Sequence, residues 1–216
     1  MAKDRVLVAP SILSADFSRF PEEIRSIEES GADWVHVDVM DGRFAPNLTM
    51  GPVVVSGVRK LTALPIDCHL MIHNPQKYVE RFCDVGADWI SLHPEAEGDV
   101  AAALDIIERR GVKPALAIRP ATPLDSVEPY AARIRMLLIM TVNPGFSGQK
   151  LMPEALGKYA EARKRFGADL LLQIDGGVTV ENAAEVRAAG AECIVTGATF
   201  FSAKDRKAVV RALKGK

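Results

Sequence analysis

His36 and Asp38 sit two residues apart in the run Trp34-Val35-His36-Val37-Asp38-Val39-Met40. The neighbouring residues are those of a buried β-strand, and a strand sends alternate side chains to opposite faces. The imidazole and the carboxylate therefore project to one side. Burying both costs free energy unless they pair, bind a metal or react. Apolar residues could hold the same strand, so the pair predicts a site shared with other strands.

Short β-rich apolar runs alternate with helical patterns along the chain. Strands are expected at Val6–Ser11, Trp34–Met40, Ile66–Met71, Trp89–His93, Pro114–Ile118, Met136–Thr141, Leu170–Asp175 and Cys193–Thr196. Helix starts are marked by Ser18 ahead of Pro21-Glu22-Glu23-Ile24, by Thr122-Pro123 and by Thr179. Gly31-Ala32-Asp33, Gly86-Ala87-Asp88, Gly167-Ala168-Asp169 and Gly190-Ala191-Glu192 form a weak repeat in which glycine ends a helix ahead of the next strand. Eight such βα units in 216 residues fit a (β/α)8 TIM barrel, expected as a single catalytic domain over 1–216. An open doubly wound sheet would carry a Gly-rich turn after its first strand, and Pro10-Ser11-Ile12-Leu13 is not one.

Composition narrows the function classes. Lys plus Arg is 27 and Asp plus Glu is 28, which gives no electrostatic footprint for nucleic acid or a membrane surface. Asp4 and Arg5 precede only the short apolar run Val6-Leu7-Val8-Ala9, which is no signal-peptide pattern. Cys68, Cys83 and Cys193 are widely spaced and read as reduced thiols of a cytoplasmic protein. Cys68 adjoins His69 but faces the other way on a strand.

Barrel active sites lie at the C-terminal ends of the strands. There this chain places Ser11 on the first strand, His36 and Asp38 on the second, His69 on the third and Asp175 on the seventh. Two imidazoles and two carboxylates suit a divalent transition metal such as Zn²⁺, Mn²⁺ or Fe²⁺, and not the all-oxygen cages of Ca²⁺ or Mg²⁺. His93, followed by Pro94-Glu95, reads as a support or a loop hydrogen-bonder more than a ligand, and His73 as a loop residue, solvated or part of a lid. Met40, Met71 and Met140 end their strands in parallel positions, as core filling or as an apolar collar around the site. Gly145-Phe146-Ser147-Gly148, Gly176-Gly177 and Gly197-Ala198 follow the last three strands. Glycine turns side by side let backbone N–H groups approach a phosphate.

The motifs Ala9-Pro10-Ser11-Ile12-Leu13-Ser14, His36-Val37-Asp38-Val39-Met40-Asp41-Gly42, Asp67-Cys68-His69-Leu70-Met71, Met140-Thr141-Val142-Asn143-Pro144-Gly145-Phe146 and Asp175-Gly176-Gly177 occur in order over the whole chain. The set resembles the ribulose-phosphate 3-epimerase family. The resemblance implies a TIM barrel that interconverts D-ribulose 5-phosphate and D-xylulose 5-phosphate in the pentose phosphate pathway. It implies that His36, Asp38, His69 and Asp175 hold one divalent ion, Zn, Fe(II), Mn or Co. Asp38 would accept and Asp175 donate a proton, with Ser11 and His69 touching substrate. Gly145, Phe146, Ser147, Gly148, Gly176, Gly177, Gly197 and Ala198 would line the phosphate end, and the assembly would be a homo-oligomer. Two positions depart from the family's usual pattern: Ser147 stands where glycine is usual, and Ala198 where serine is usual.

Inverting a carbon beside a ketone requires removing a proton from one face and returning one to the other. Two carboxylates on opposite sides do this more directly than one, and a cation stabilises the charge that develops. Another ketose phosphate such as D-allulose 6-phosphate would suit the same chemistry. A phosphate-binding decarboxylase barrel would carry Asp-x-Lys where this chain has Asp67-Cys68-His69. A non-catalytic sugar-phosphate-binding barrel is the remaining alternative.

Overall fold

A computed structural model describes residues 6–216, so Asp4 and Arg5 lie outside the described residues. Its strands are β1 (Leu7–Pro10), β2 (Val35–Met40), β3 (Ile66–Met71), β4 (Trp89–Leu92), β5 (Lys113–Ile118), β6 (Met136–Met140), β7 (Leu171–Asp175) and β8 (Cys193–Thr196). All pair in parallel, in the order β1-β8-β7-β6-β5-β4-β3-β2. A bridge between Ser11 and His36 brings β1 against β2 and nearly closes the barrel. Every strand lies within a residue of its expected ends. The helices are α1 (Phe20–Glu29), α2 (Pro52–Leu61), α3 (Val79–Asp84), α4 (Val100–Arg109), α5 (Gly157–Phe166), α6 (Ala183–Ala189), α7 (Ala198–Phe201) and α8 (Arg206–Leu213).

All three expected helix starts differ. The segment after β5 forms only the 3₁₀ turns Leu124–Ser126 and Glu128–Tyr130. Pro129 lacks an N–H and cannot make the helical bond to the Asp125 carbonyl, which breaks the helix that Thr122-Pro123 would have begun. The Thr122 hydroxyl donates to Glu95 instead. Ser18 does not cap α1: Asp16 accepts from both the Ser18 N–H at 3.0 Å and its hydroxyl at 2.6 Å. Its carboxylate is the stronger acceptor and caps the turn Phe17–Arg19. Thr179 caps a turn rather than α6, which begins at Ala183 with Asn182 at its N-cap; Thr179 and Asn182 exchange side-chain-to-backbone bonds across that turn, a reciprocal box.

The weak repeat does structural work in pairs of strands. Asp33, ahead of β2, accepts from the Val8 N–H of β1. Asp88, ahead of β4, accepts from Ile66 of β3, and Glu192, ahead of β8, accepts from Leu172 of β7. Each carboxylate satisfies an N–H at the start of the preceding strand and so sets where that strand begins.

Alternation divides the strands into two environments. Val35, Val37 and Val39 of β2 and Ile66, Cys68 and Leu70 of β3 face outward and pack with Ile24, Ile27, Val55 and Val58 of the helices. Inside, Ala9, Trp34, Trp89, Ala115, Met136 and Cys193 plug the N-terminal end, with the two indoles stacked at 5.0 Å. Met40, Met71, Leu138, Met140 and Phe44 form a second apolar layer near the C-terminal end. Along β2 the order is Trp34, His36, Asp38, Met40, so the polar pair lies between the two apolar layers.

Candidate active site

His36, Asp38, His69 and Asp175 each present one ligand-type atom, and these atoms all lie within 4.8 Å of one another. His36 Nε2 is 3.3 Å from Asp38 Oδ1, and His69 Nδ1 is 3.4 Å from the same oxygen and 3.6 Å from Asp175 Oδ2. His36 Nε2, Asp38 Oδ1 and His69 Nδ1 are buried without a hydrogen-bond partner. Leaving one such atom unsatisfied costs about 1–3 kcal/mol, comparable to what burying a Val or Leu contributes. Three of them aimed at one another fit a bound cation. Bonds of about 2.0–2.1 Å in a tetrahedron place ligands about 3.3–3.4 Å apart, close to the two separations made by Asp38 Oδ1 and a little shorter than that between His69 and Asp175. The cluster can therefore hold a metal ion.

His36, Asp38 and His69 are each backed by a partner. His36 Nδ1 lies 2.8 Å from Asp67 Oδ2, which also accepts from Gln173 Nε2 at 2.7 Å. Asp38 Oδ2 accepts from the Ser11 hydroxyl at 2.5 Å. His69 Nε2 lies 2.8 Å from His93 Nε2, and His93 Nδ1 lies 3.2 Å from Glu95 Oε2. Glu95 Oε1 in turn accepts from the Arg119 N–H and the Thr122 hydroxyl.

The electrostatics follow from burial and these pairs. Burial disfavours a charge on His36, but Asp38 and Asp67 outweigh it and raise its pKa well above the ordinary histidine value. His69 is raised in the same way, against burial, by Asp175 and Asp38. Burial opposes a charge on Asp38 too, yet the two imidazoles hold its carboxyl well below the usual range. His93 is pushed down to about 4 by burial and so is neutral near pH 7. Glu95 is partly desolvated, but His93 and its two donors hold it at about 2.

A cavity of about 350 Å³ opens above this cluster. Asp38 and Asp175 line it, as do Ser11, Gly145, Phe146, Ser147, Gly148, Gly176, Gly177, Gly197 and Ala198. Met40, Met71 and Met140 contribute apolar wall. His69, expected to touch substrate, is fully buried and set back behind that lining. Ser147 does not take the positive φ that would strain it: among described non-glycine residues only Asn74 has positive φ. Its hydroxyl lies 2.9 Å from that of Ser14, which joins the loops after β1 and β6. Asn47 adds a second clasp across the mouth by donating to the Gly145 carbonyl at 2.8 Å.

Gly177 shows why the loop after β7 is glycine-rich. It has φ +66°, and a Cβ there would stand 2.2 Å from the Leu151 backbone nitrogen. The left-handed penalty of about 1–2 kcal/mol and an overpacking cost of about 1–3 kcal/mol both apply. Gly177→Ala should thus lose about 2–5 kcal/mol of stability, read as a lower urea midpoint. An unchanged midpoint would show that the two loops do not pack this closely.

Some of this network had a sequence signal and some did not. Asp67 is two residues from His69 and Gln173 two from Asp175, so strand alternation places them on the same inward face. Glu95 and Thr122 come from separate loops and carry no local signal. His93, read as a support or loop residue, contacts His69 directly. His73 is half-buried and ties three loops: its N–H donates to Asp41, and its Nδ1 accepts from the Glu97 N–H.

The model of the ribulose-phosphate 3 epimerase family matches residues 7–201. The ribulose-phosphate 3-epimerase of Bacillus subtilis is 42% identical over 214 residues, covering 97% of this chain and 99% of that protein. Its counterpart in Synechocystis sp. is 48% identical over 203 residues, covering 92% of this chain and 88% of that one. Among solved structures, KGPDC from Streptococcus mutans in complex with D-R5P superposes with a TM-score of 0.74 over 99% of this chain and 96% of that one. At 13% identity it shares the fold alone. Barrel, motifs and relatives agree that the chain belongs to the ribulose-phosphate 3-epimerase family.

Proposed function

We propose that this chain is an isomerase that interconverts D-ribulose 5-phosphate and D-xylulose 5-phosphate by moving the proton at C3, a step of the pentose phosphate pathway. The observation that carries this reading is the pair Asp38 and Asp175, which line one cavity floor and share one buried imidazole, His69. They arise from β2 and β7, separated around the ring by β1 and β8. Carboxylates from well-separated strands can address opposite faces of a flat enediolate.

In one direction Asp38 accepts the C3 proton and Asp175 returns one to the opposite face; in reverse the roles exchange. Ser11 holds the far oxygen of Asp38 and so keeps Oδ1 turned toward the cluster. The turns Gly145–Gly148, Gly176-Gly177 and Gly197-Ala198 hold the phosphate, and Met40, Met71 and Met140 form an apolar collar that keeps water from the reacting carbons. His36, Asp38, His69 and Asp175 would hold one ion of Zn, Fe(II), Mn or Co. Such an ion supplies positive charge where oxygen charge develops during proton removal.

Relatives that match over nearly their whole length support a single catalytic domain over 1–216. Family membership also supports a cytoplasmic homo-oligomer whose partner is a small ketose phosphate rather than nucleic acid or membrane. No helix among the described residues is long and apolar enough to cross a membrane.

Incubation with ribulose 5-phosphate in heavy water tests the reading. The expected result is xylulose 5-phosphate carrying deuterium at C3. Binding of the sugar phosphate without exchange would favour a non-catalytic barrel. Faster turnover of D-allulose 6-phosphate would move the assignment to the hexose.

A further inference from the structure

The two histidines of the cluster face it through different nitrogens, and their opposite nitrogens meet different kinds of partner. His36 presents Nε2, and its Nδ1 meets Asp67, a carboxylate that only accepts. Its proton is therefore fixed locally on Nδ1. His69 presents Nδ1, and its Nε2 meets another imidazole nitrogen, His93 Nε2, at 2.8 Å. One proton lies between those two atoms. Either ring can carry it, so this contact alone does not decide whether the His69 Nδ1 lone pair is free.

The decision is made one residue further out. If His93 carries its proton on Nδ1, its Nε2 must accept, and His69 must donate from Nε2. Glu95 Oε2 stands 3.2 Å from His93 Nδ1 and, as a carboxylate, only accepts. Its orientation is fixed because its other oxygen takes the Arg119 N–H at 2.9 Å and the Thr122 hydroxyl. Phe44 covers the assembly, its ring 4.6 Å from that of His93 and 3.9 Å from the Arg119 guanidinium.

We propose that Glu95 is a positioning residue which, through His93, fixes the proton of His69 on Nε2 and frees Nδ1 to hold the metal ion. This rests on the metal reading above, and Glu95 touches neither ion nor substrate.

Glu95→Gln is the informative change because it preserves shape and reverses one group. The Arg119 N–H is a fixed donor and keeps the Gln carbonyl on its side. The Gln NH₂ then faces His93 Nδ1 and drives the His93 proton to Nε2. His69 is left to accept at Nε2 and carry its own proton on Nδ1, the atom that should hold the ion.

The test uses zinc as the probe. Chelator competition should show zinc held about 10–100-fold more weakly by Glu95→Gln than by wild type, the range typical of partners behind ligating histidines. Histidine ¹⁵N spectra of zinc-loaded wild type should show the His93 proton on Nδ1. Equal zinc affinity in the two proteins, or a His93 proton on Nε2 in wild type, would overturn the proposal; the second decides even if the variant does not fold. Wild type that takes up no zinc at all would defeat the metal reading and this inference with it. That result is distinct from two proteins that bind zinc alike.

Discussion

Asp38→Asn and Asp175→Asn should each lower kcat for epimerisation by at least about 10³-fold, equivalent to about 4 kcal/mol of transition-state stabilisation. Asparagine keeps the shape of each side chain, so the circular dichroism of the folded barrel should stay close to wild type. The loss exceeds that of an ordinary general base because each carboxylate also belongs to the cluster of atoms within 4.8 Å. A one-base and a two-base reaction differ in what survives. With two bases on opposite faces, each variant retains one group able to lift a proton from one epimer only. Residual deuterium exchange should then be confined to one sugar in Asp38→Asn and to the other in Asp175→Asn. Exchange from both sugars in either variant, or full activity in either, would break the two-base assignment.

The barrel was legible because its signals are local. Short β-rich apolar runs between helical patterns placed all eight strands, and the Gly-Ala-Asp/Glu pattern marked the turns ahead of four of them. The helix expected after Thr122 was lost to Pro129, and the Ser18 cap to a stronger acceptor at Asp16. Those are contests between neighbours that residue type alone does not settle. At the site, alternation placed His36 and Asp38 on one face, and barrel closure brought them to His69 and Asp175. The same alternation applied once more would have reached Asp67 and Gln173. Glu95 was out of reach: its contacts with His93, Arg119 and Thr122 join the loops after β4 and β5, and neither loop's sequence shows which of its side chains meet. Residues that hold a site in place are harder to read than those that form it, because their value lies in a partner's orientation.

Removing bound metal should abolish turnover while the barrel stays folded, and restoring zinc, cobalt, manganese or iron(II) should recover it. Survival of the fold follows from the acid–base balance of the cluster. Without a cation, His36 and His69 take up protons, since both carry raised pKa values, and their charge then offsets Asp38 and Asp175. A group with a raised folded pKa contributes stability that is fully present below its unfolded value of about 6.5 and is lost as pH rises through the folded value. Metal-free protein should therefore lose stability as pH climbs above about 6.5 and His69 and His36 give up their protons. Metal affinity runs the other way. The two imidazoles must shed their protons before they bind, so uptake strengthens as pH rises and releases protons into a weak buffer. The stabilisation conferred by metal, read as the difference in melting temperature between loaded and stripped protein, should widen over the same interval. Turnover retained after elemental analysis confirms removal would refute the metal's part in the reaction. A loaded-minus-stripped difference that narrows with rising pH would show that protons and metal do not compete for these two imidazoles.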